Sequence, residues 1–394
     1  MAARYSVERN FYLVQNSYID QLIITELYNR RALNNELVYL LVEHLGYSER
    51  SVYNRLNLLS KRGLVFKRKY PDTQSNKYKV YYYLTGSGVR VYCMMHNIPS
   101  NEYENGRLLV RHHKEWHELE IKPAAVPHHL ETEKFCILLR YEIGDEVQYN
   151  ELNAYANPYT IFTNGGPKTV IVPDKILTDG RRWVNVETDR STTKQQVIKT
   201  KFDRYATYLN SLDADQVHSI LFNITPTARP TARIKLILNA VTKSREFQSL
   251  VLEGRLHVWA SANYPAAFSL VKSFFSDIDF FSTMREEIKN LVSRAAAAKN
   301  LPKRVGIPNK ENSQGIAPDY IAHIGNSVFL FLMARDGELT PLVRAMSISR
   351  FLQKNQHLCL IYPSAEAAEY GKSLLDDFHC VSIDELLKWL LERL

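Results

Sequence analysis

Cysteine is scarce in this chain. Four occur in 394 residues, Cys93, Cys136, Cys359 and Cys380, and no two form a CxxC pair. That spacing argues against a zinc ribbon or a disulfide framework and fits a reducing compartment. No run of about 18 apolar residues occurs, the length a membrane-crossing helix needs. The opening MAARYSVERN carries no apolar signal core. The expectation is a soluble cytoplasmic protein with no membrane partner. A Gly-rich phosphate cradle is missing too, since TNGGPK lacks the lysine-threonine context of a P-loop and reads as a turn. Five histidines, His112, His113, His117, His128 and His129, invite a metal reading, and His113 and His117 have a spacing that suits one helix face. No HExxH arrangement completes them, so they read as a junction feature.

Other bulk properties are ordinary: 45% hydrophobic and 23% charged residues, in a length that suits two to four domains. The formal charge of +8 makes an acidic partner plausible, nucleic acid first.

The first hundred residues have a readable order. IDQLIITELYNRR and NELVYLLVEH carry apolar residues at helical spacing, and Gly46 ends the second. Ser48 can cap the next helix, SERSVYNRLNLLSKRG, which Gly63 terminates. Val52, Leu56 and Leu59 form its apolar face, while Arg50, Ser51, Tyr53, Asn54, Arg55 and Asn57 hydrogen-bond bases and phosphates in other settings. Two strands, LVFKRKY and KYKVYYYLT, follow around the turn-rich PDTQSN. This is the order of a winged helix-turn-helix over residues 1–100. Its third helix would enter the major groove of double-stranded DNA, and Lys67, Arg68, Lys69, Lys77 and Lys79 of the hairpin would lie along the backbone. The alternative is a protein-binding winged helix whose charges solvate a surface. HNIPSNEYENG then reads as a linker.

Residues 107–262 alternate strands and helices, an α/β (overall α+β) domain on a mixed sheet. HHLETEKFCILLRYEI reads as a helix, TVIVPDKIL and RWVNVETD as a hairpin, and STTKQQVIKTKFDRYATYLNS as a helix capped by Ser191 or Thr192. VHSILFNIT, RPTARIKLILNAVTKS and RLHVWAS then read as strand, helix and strand. Asp174 lies near the end of one hairpin strand, and Glu187 and Asp189 lie two apart on the other, hence on one face. Three grouped carboxylates repel unless something positive joins them, and Mg²⁺ or Mn²⁺ is the hard cation that takes oxygen ligands. The helix beyond carries Lys194, Ile198, Lys201, Tyr205 and Tyr208 in one stripe, from which an ammonium could stabilise charge on a phosphate. The alternative is a solvated strand end paired with a basic helix.

These residues resemble a known family. P-D, about a dozen residues, E-x-D-R-x-T and then K-x-x-x-Y-x-x-Y, carried by Pro173, Asp174, Glu187, Asp189, Arg190, Thr192, Lys201, Tyr205 and Tyr208, resembles the replication-relaxation family of plasmid and mobile-element proteins. The resemblance spans roughly residues 10 to 260. It implies a winged helix joined to a restriction-endonuclease-like PD-(D/E)xK domain, and is similar also to mobilisation relaxases with a nuclease-like fold. On it, Asp174 and Glu187 are metal ligands. Asp189 stands where the wider superfamily usually has a lysine, a departure met if Lys201 or Lys194 serves from the helix. Arg190, Thr192, Lys194, Tyr205 and Tyr208 become DNA contacts, with Tyr205 or Tyr208 an alternative nucleophile. Glu133 is a further ligand candidate or else an exposed helix charge.

FFSDIDFFSTMREEIKNLVSRAAAAKN reads as one long helix, giving connecting helices over 263–300, and LPKRVGIPNKENSQG as a linker. Beyond it, IAPDYIAHIGNSVFLFLMARDGE lines up without gaps on IVPDKILTDGRRWVNVETDRSTT, offset by 145 residues. Asp174 falls on Asp319 and Arg190 on Arg335, while Glu187 falls on Leu332 and Asp189 on Ala334. Residues 305–394 therefore read as a degenerate α/β copy of the nuclease-like domain, serving DNA binding or a homodimer contact, with chance similarity the alternative.

The reading is a DNA-binding protein of a plasmid or mobile element that nicks or processes DNA with Mg²⁺ or Mn²⁺, a metal-dependent endonuclease or relaxase. Asp174, Glu187 and Asp189 hold the ion, Lys201 faces the scissile phosphate, and single-stranded DNA at a nick is a further partner. Its rival is a non-catalytic DNA-binding regulator with a retired nuclease fold.

Overall fold

The structure is a computed structural model. It describes every residue except Met1, 72–76, 105–106, 156, 164, 192, 213–215, 226–228, 277–278 and 309–316, and leaves out the side chains of 2–6 and 107 as well. The chain divides into two compact units, Met1–Glu142 and Ile143–Leu394.

The first unit runs α1 (Ala2–Gln15), α2 (Tyr18–Arg30), β1 (Leu33–Asn34), α3 (Asn35–Val42), α4 (Glu49–Lys61), β2 (Val65–Pro71), β3 (Tyr78–Leu84) and α5 (Gly86–Met95). Then come the hairpin β4 (Glu102–Glu104) and β5 (Arg107–Val110), the short α6 (Trp116–Leu119), and α7 (Val126–Ile143), which reaches the unit boundary. Strands β1, β3 and β2 form an antiparallel sheet in that order. With α2, α3 and α4 the order is helix–strand–helix–helix–hairpin; the three helices and the hairpin fall where the sequence places them, and the two-residue β1 was not foreseen. The caps are local: Asn34 accepts from the Leu37 amide at 2.9 Å and Ser48 from the Ser51 amide at 3.2 Å. Gly63, with φ at +70°, turns the chain out of α4 into β2. Val52, Leu56 and Leu59 are fully buried, each contributing about 1.5–3 kcal/mol.

This unit runs past residue 100, to Glu142. Leu119, Ile121, Val126, Leu130 and Ile137 join the same core as Ile24 and Leu27, so α7 completes the first unit and does not open the second. Glu133 on α7 is not an exposed charge. It is buried and takes Arg30 Nη1 at 2.7 Å, while Arg30 Nε donates to Glu26 at 2.6 Å.

The second unit contains two sheets. The first uses β6 (Asn150–Leu152), β9 (Lys175–Thr178), β10 (Arg182–Asp189), β11 (Val217–Ile224) and β12 (Leu256–Ser261). Between β6 and β9 stands a separate hairpin, β7 (Tyr159–Thr163) and β8 (Gly166–Ile171). TVIVPDKIL is therefore two strands: Pro173 has no amide hydrogen for a ladder, so β8 ends before it and β9 begins after. The helices of this half are α8 (Gln195–Leu209), α9 (Pro230–Lys243), α10 (Arg245–Leu252) and α11 (Tyr264–Phe275).

The rest is α12 (Ser282–Ala298), β13 (Lys303–Gly306), β14 (Tyr320–Ile324), β15 (Ser327–Met333), α13 (Thr340–Ile348), β16 (Gln356–Tyr362), α14 (Ala365–Leu374), β17 (His379–Ser382) and α15 (Leu386–Leu391). The long helix expected over 274–300 is thus interrupted. The supposed connector divides between the sheets: Arg182 on β10 donates to the Phe274 and Phe275 carbonyls of α11 at 2.7 Å, whereas α12 packs its Ile288 and Val292 in the core with Trp389 of α15.

The two sheets share one topology. The first runs β6-β9-β10-β11-β12, and the second β13-β14-β15-β16-β17. In each, the first two pairings are antiparallel and the last two parallel. The correspondence extends to a side chain. Asp174 accepts from the Thr188 amide at 2.8 Å, and Asp319 accepts from the Met333 amide at 2.8 Å, each position 145 residues later. One core lies between the sheets, where Phe202, Ile237 and Phe247 of α8, α9 and α10 join Leu342 and Ala368 of α13 and α14. The edge strand β12 adds backbone bonds across it, Leu339 N to Val258 O at 2.9 Å and Ala260 N to Gly337 O at 2.8 Å.

Candidate functional site

Glu187 and Asp189 project from the same face of β10, and α8 crosses that face. Glu187 is buried. Tyr205 Oη donates to Glu187 Oε1 at 2.6 Å and the Lys201 ammonium donates to Oε2. Lys201 and Tyr205 lie four apart on α8, so one helix stripe supplies both partners. Asp174, in the turn just before β9, is oriented by the Thr188 amide.

The electrostatics follow from burial. Desolvation pushes the Glu187 carboxyl up to about 7 and the charge of Asp174 adds to the rise, against the pull of Lys201 and Tyr205. Burial draws the Lys201 ammonium down, but Glu187, Asp174 and Asp189 outweigh it and leave Lys201 above its ordinary value. Lys201 is therefore held charged by its acidic neighbours, Glu187 foremost.

Asp189 has a second cation. Arg233 Nε donates to its Oδ2 at 2.6 Å, Arg233 Nη1 donates to the Thr193 carbonyl at 2.6 Å, and the Ser191 amide donates to Asp189 Oδ1 at 2.7 Å. The three acids are thus divided, Asp174 and Glu187 around Lys201 and Asp189 on Arg233. Among the described residues no group of three or more His, Cys, Asp or Glu side chains is gathered so as to hold a metal ion. Arg233, on α9, was not singled out from the sequence, where nothing ties it to an acid 44 positions earlier.

The remaining expected contacts scatter. Lys194 itself takes the N-cap position of α8, without a side-chain cap bond, while Thr192 lies outside the described residues. Arg190 is half-buried and Lys194 exposed. Tyr205 is fully buried, with burial and then Glu187 holding its phenol far above the ordinary value. Tyr208 stacks on Tyr159 with ring centroids 4.1 Å apart, and burial raises its phenol too.

In the first unit, Arg50, Tyr53 and Asn54 are exposed on α4, and Ser51 is half-buried. Arg55 is not on that surface in the same sense. Its Nε donates to Asp20 Oδ1 and its Nη2 to Ser17 Oγ, both at 2.8 Å, with a further bond to Asp20 Oδ2. Asp20 is fully buried, so Arg55 is a clamp between α2 and α4. Lys67 donates to Asn57 at 3.0 Å and lies over the Tyr53 ring at 5.3 Å, joining hairpin to helix. Arg68 lies over Phe66, and Lys69, Lys77 and Lys79 are exposed. The histidines do not converge. His113 lies outside α6 and contacts the Lys114 carbonyl, His112 pairs with Glu102, and His129 contacts the Ala32 carbonyl.

The sequence pattern of the replication-relaxation family matches residues 24–222, more than half the chain. This chain belongs to the replication-relaxation family. Membership carries a role in the replication or relaxation of plasmids and other mobile elements. In replication-relaxation terms the matched span runs from α2 into β11 and includes α4, the β2–β3 hairpin, Asp174, Glu187, Asp189 and Lys201. It ends before Arg233 and before the second sheet. No curated protein and no solved structure matches the chain. Among the described residues no helix is long and apolar enough to cross a membrane.

Proposed function

We propose that this replication-relaxation protein binds duplex DNA through its winged helix and cleaves a phosphodiester at the Asp174–Glu187–Lys201 site. The observation that carries the reading is the reach of Lys201 from α8 to Glu187, beside Asp174. It supplies from a helix the lysine that the E-x-D strand lacks. Mg²⁺ or Mn²⁺ would be held by Asp174 and Glu187, taking the place of the Lys201 ammonium on Glu187 Oε2, since Mg²⁺ commonly takes one or two protein carboxylates and completes its shell with water and phosphate. Asp189, engaged by Arg233, stays out of that set.

When bound, such an ion would polarise the phosphate and lower the pKa of an attacking water. The chain's own groups do the rest. Lys201 offsets negative charge on the phosphate, Tyr205 fixes the Glu187 carboxylate by its hydrogen bond, and Arg233 neutralises Asp189 so that the strand end tolerates a second anion. The buried Tyr205, with its phenol held high, and the half-buried Tyr208, stacked on Tyr159, favour hydrolysis over a covalent tyrosine intermediate.

A second reading has its own support. Both Glu187 oxygens already have donors, and the second sheet has Leu332 and Ala334 where the first has Glu187 and Asp189. In that reading the fold is a non-catalytic platform of a DNA-binding regulator. Nicking of supercoiled plasmid with Mn²⁺ separates the two. Nicking by the wild type that Asp174→Ala and Lys201→Ala each abolish supports cleavage. Absence of metal-dependent nicking, or equal nicking by the variants, overturns it.

A further inference from the structure

A groove of about 750 Å³ lies between the β7–β8 hairpin and α8. Ile161, Lys168 and Val170 form its hairpin wall, Val197 and Arg204 stand on the helix wall, and Lys201 also lines it. The lining holds three cations and no acid among the described residues. Lys168 and Arg204 are exposed, and no acid pairs with either among the described residues. From Val197 to Thr207 the helix wall runs about 15 Å. Thr169 adds a hydroxyl on the hairpin wall, a group that bonds phosphate and sugar oxygens, while the Thr200 and Thr207 hydroxyls donate to the Gln196 and Asp203 carbonyls of their own helix.

We infer that this groove holds one unpaired nucleic-acid strand and leads it to Lys201. Charge complementarity selects a polyanion, because among the described residues the ionised side chains on its walls, Lys168, Lys201 and Arg204, are all positive. Its volume, within the range of about 300–1,000 Å³ typical of clefts for small ligands, takes a nucleotide or two and excludes a double helix. The aliphatic side chains Ile161, Val170 and Val197 give the base faces an apolar surface, while Lys168 and Arg204 neutralise phosphates. Such a contact is sequence-independent and salt-sensitive. The inference deepens the cleavage reading by naming the form of DNA at that site, yet strand binding requires no cleavage.

The test uses the full chain with EDTA present, so that nicking cannot contribute. A fluorescein-labelled oligothymidylate and a labelled duplex are titrated separately at low salt and followed by anisotropy. Lys168→Glu with Arg204→Glu should weaken oligothymidylate binding about tenfold or more and leave duplex affinity within about twofold. The milder pair Lys168→Gln with Arg204→Gln, with a wild-type melting temperature, should show a smaller loss of the same selectivity. No binding of oligothymidylate by the wild type, unchanged single-strand affinity in a folded variant, or equal loss for duplex and single strand overturns the inference. Plasmid nicking failing while selective strand loss holds would overturn cleavage and leave the groove standing.

Discussion

Replacing Arg55 by alanine tests whether the helix α4 is read correctly. Asp20 is fully buried, and Arg55, 30% exposed, gives it bonds from both Nε and Nη2. Removing one partner of a buried pair costs about 3–5 kcal/mol because the remaining charge stays unpaired. Two features lower that figure here: the partial exposure of Arg55, and Arg62 Nη1, which remains 3.9 Å from Asp20. The cost should be about 2 kcal/mol, a fall in melting temperature of roughly 5–10 °C for a unit of this size. Thermal unfolding of Arg55→Ala, Asp20→Asn and the double variant should give a coupling energy of about 1–2 kcal/mol. Arg50, exposed on the same helix, has no such role. Arg50→Ala should change stability by less than about 0.5 kcal/mol and weaken duplex binding by about 1–3 kcal/mol where it reads a base. An Arg55→Ala protein that melts with the wild type and loses as much duplex affinity as Arg50→Ala would refute the clamp.

Two further outcomes concern packing and protonation. The Glu187 carboxyl is raised from 4.5 to about 7, so the folded protein holds that proton more tightly than the unfolded chain. Its stabilising contribution is complete below pH 4.5 and is lost as pH rises through about 7, a difference of about 3 kcal/mol. The unfolding free energy from urea titrations should fall more between pH 5 and pH 8 for wild type than for Glu187→Gln, and parallel pH profiles would contradict the burial argument. At Gly88 an added Cβ would sit 2.2 Å from the Leu64 carbonyl oxygen and 3.2 Å from Leu84 Cβ. Because the first obstacle is backbone, Gly88→Ala should lose about 2–3 kcal/mol, read as a lowered urea midpoint. An unchanged midpoint would show that α5 can shift away from the β2–β3 hairpin.

Much of the architecture was legible in local pattern. The periodicity of 19–31, 35–44 and 48–63, with Ser48 and Gly63 at the ends of the last, matches α2, α3 and α4 closely. The two-residue step from Glu187 to Asp189 and the four-residue step from Lys201 to Tyr205 put each pair on one face of its element, as regular geometry requires. The 145-residue offset, visible as an ungapped alignment, reappears as matched sheet topology and matched Asp174 and Asp319 hydrogen bonds. The β7–β8 hairpin was missed. The nine-residue TVIVPDKIL reads as one strand, yet Pro173 falls between β8 of that hairpin and β9 of the sheet.

Sequence by itself determined which elements form and which side chains share a face, because helix and strand periods are properties of a few neighbouring residues. Only the tertiary structure decided which charges meet. Arg55 reaches Asp20 across 35 positions, Arg233 reaches Asp189 across 44, and Arg30 reaches Glu133 across 103. A buried carboxylate must find a counter-charge, yet any of the chain's 50 lysines and arginines satisfies that demand on paper. Packing brings one of them within about 3 Å, and so separates the acids that Lys201 gathers from the one that Arg233 has taken.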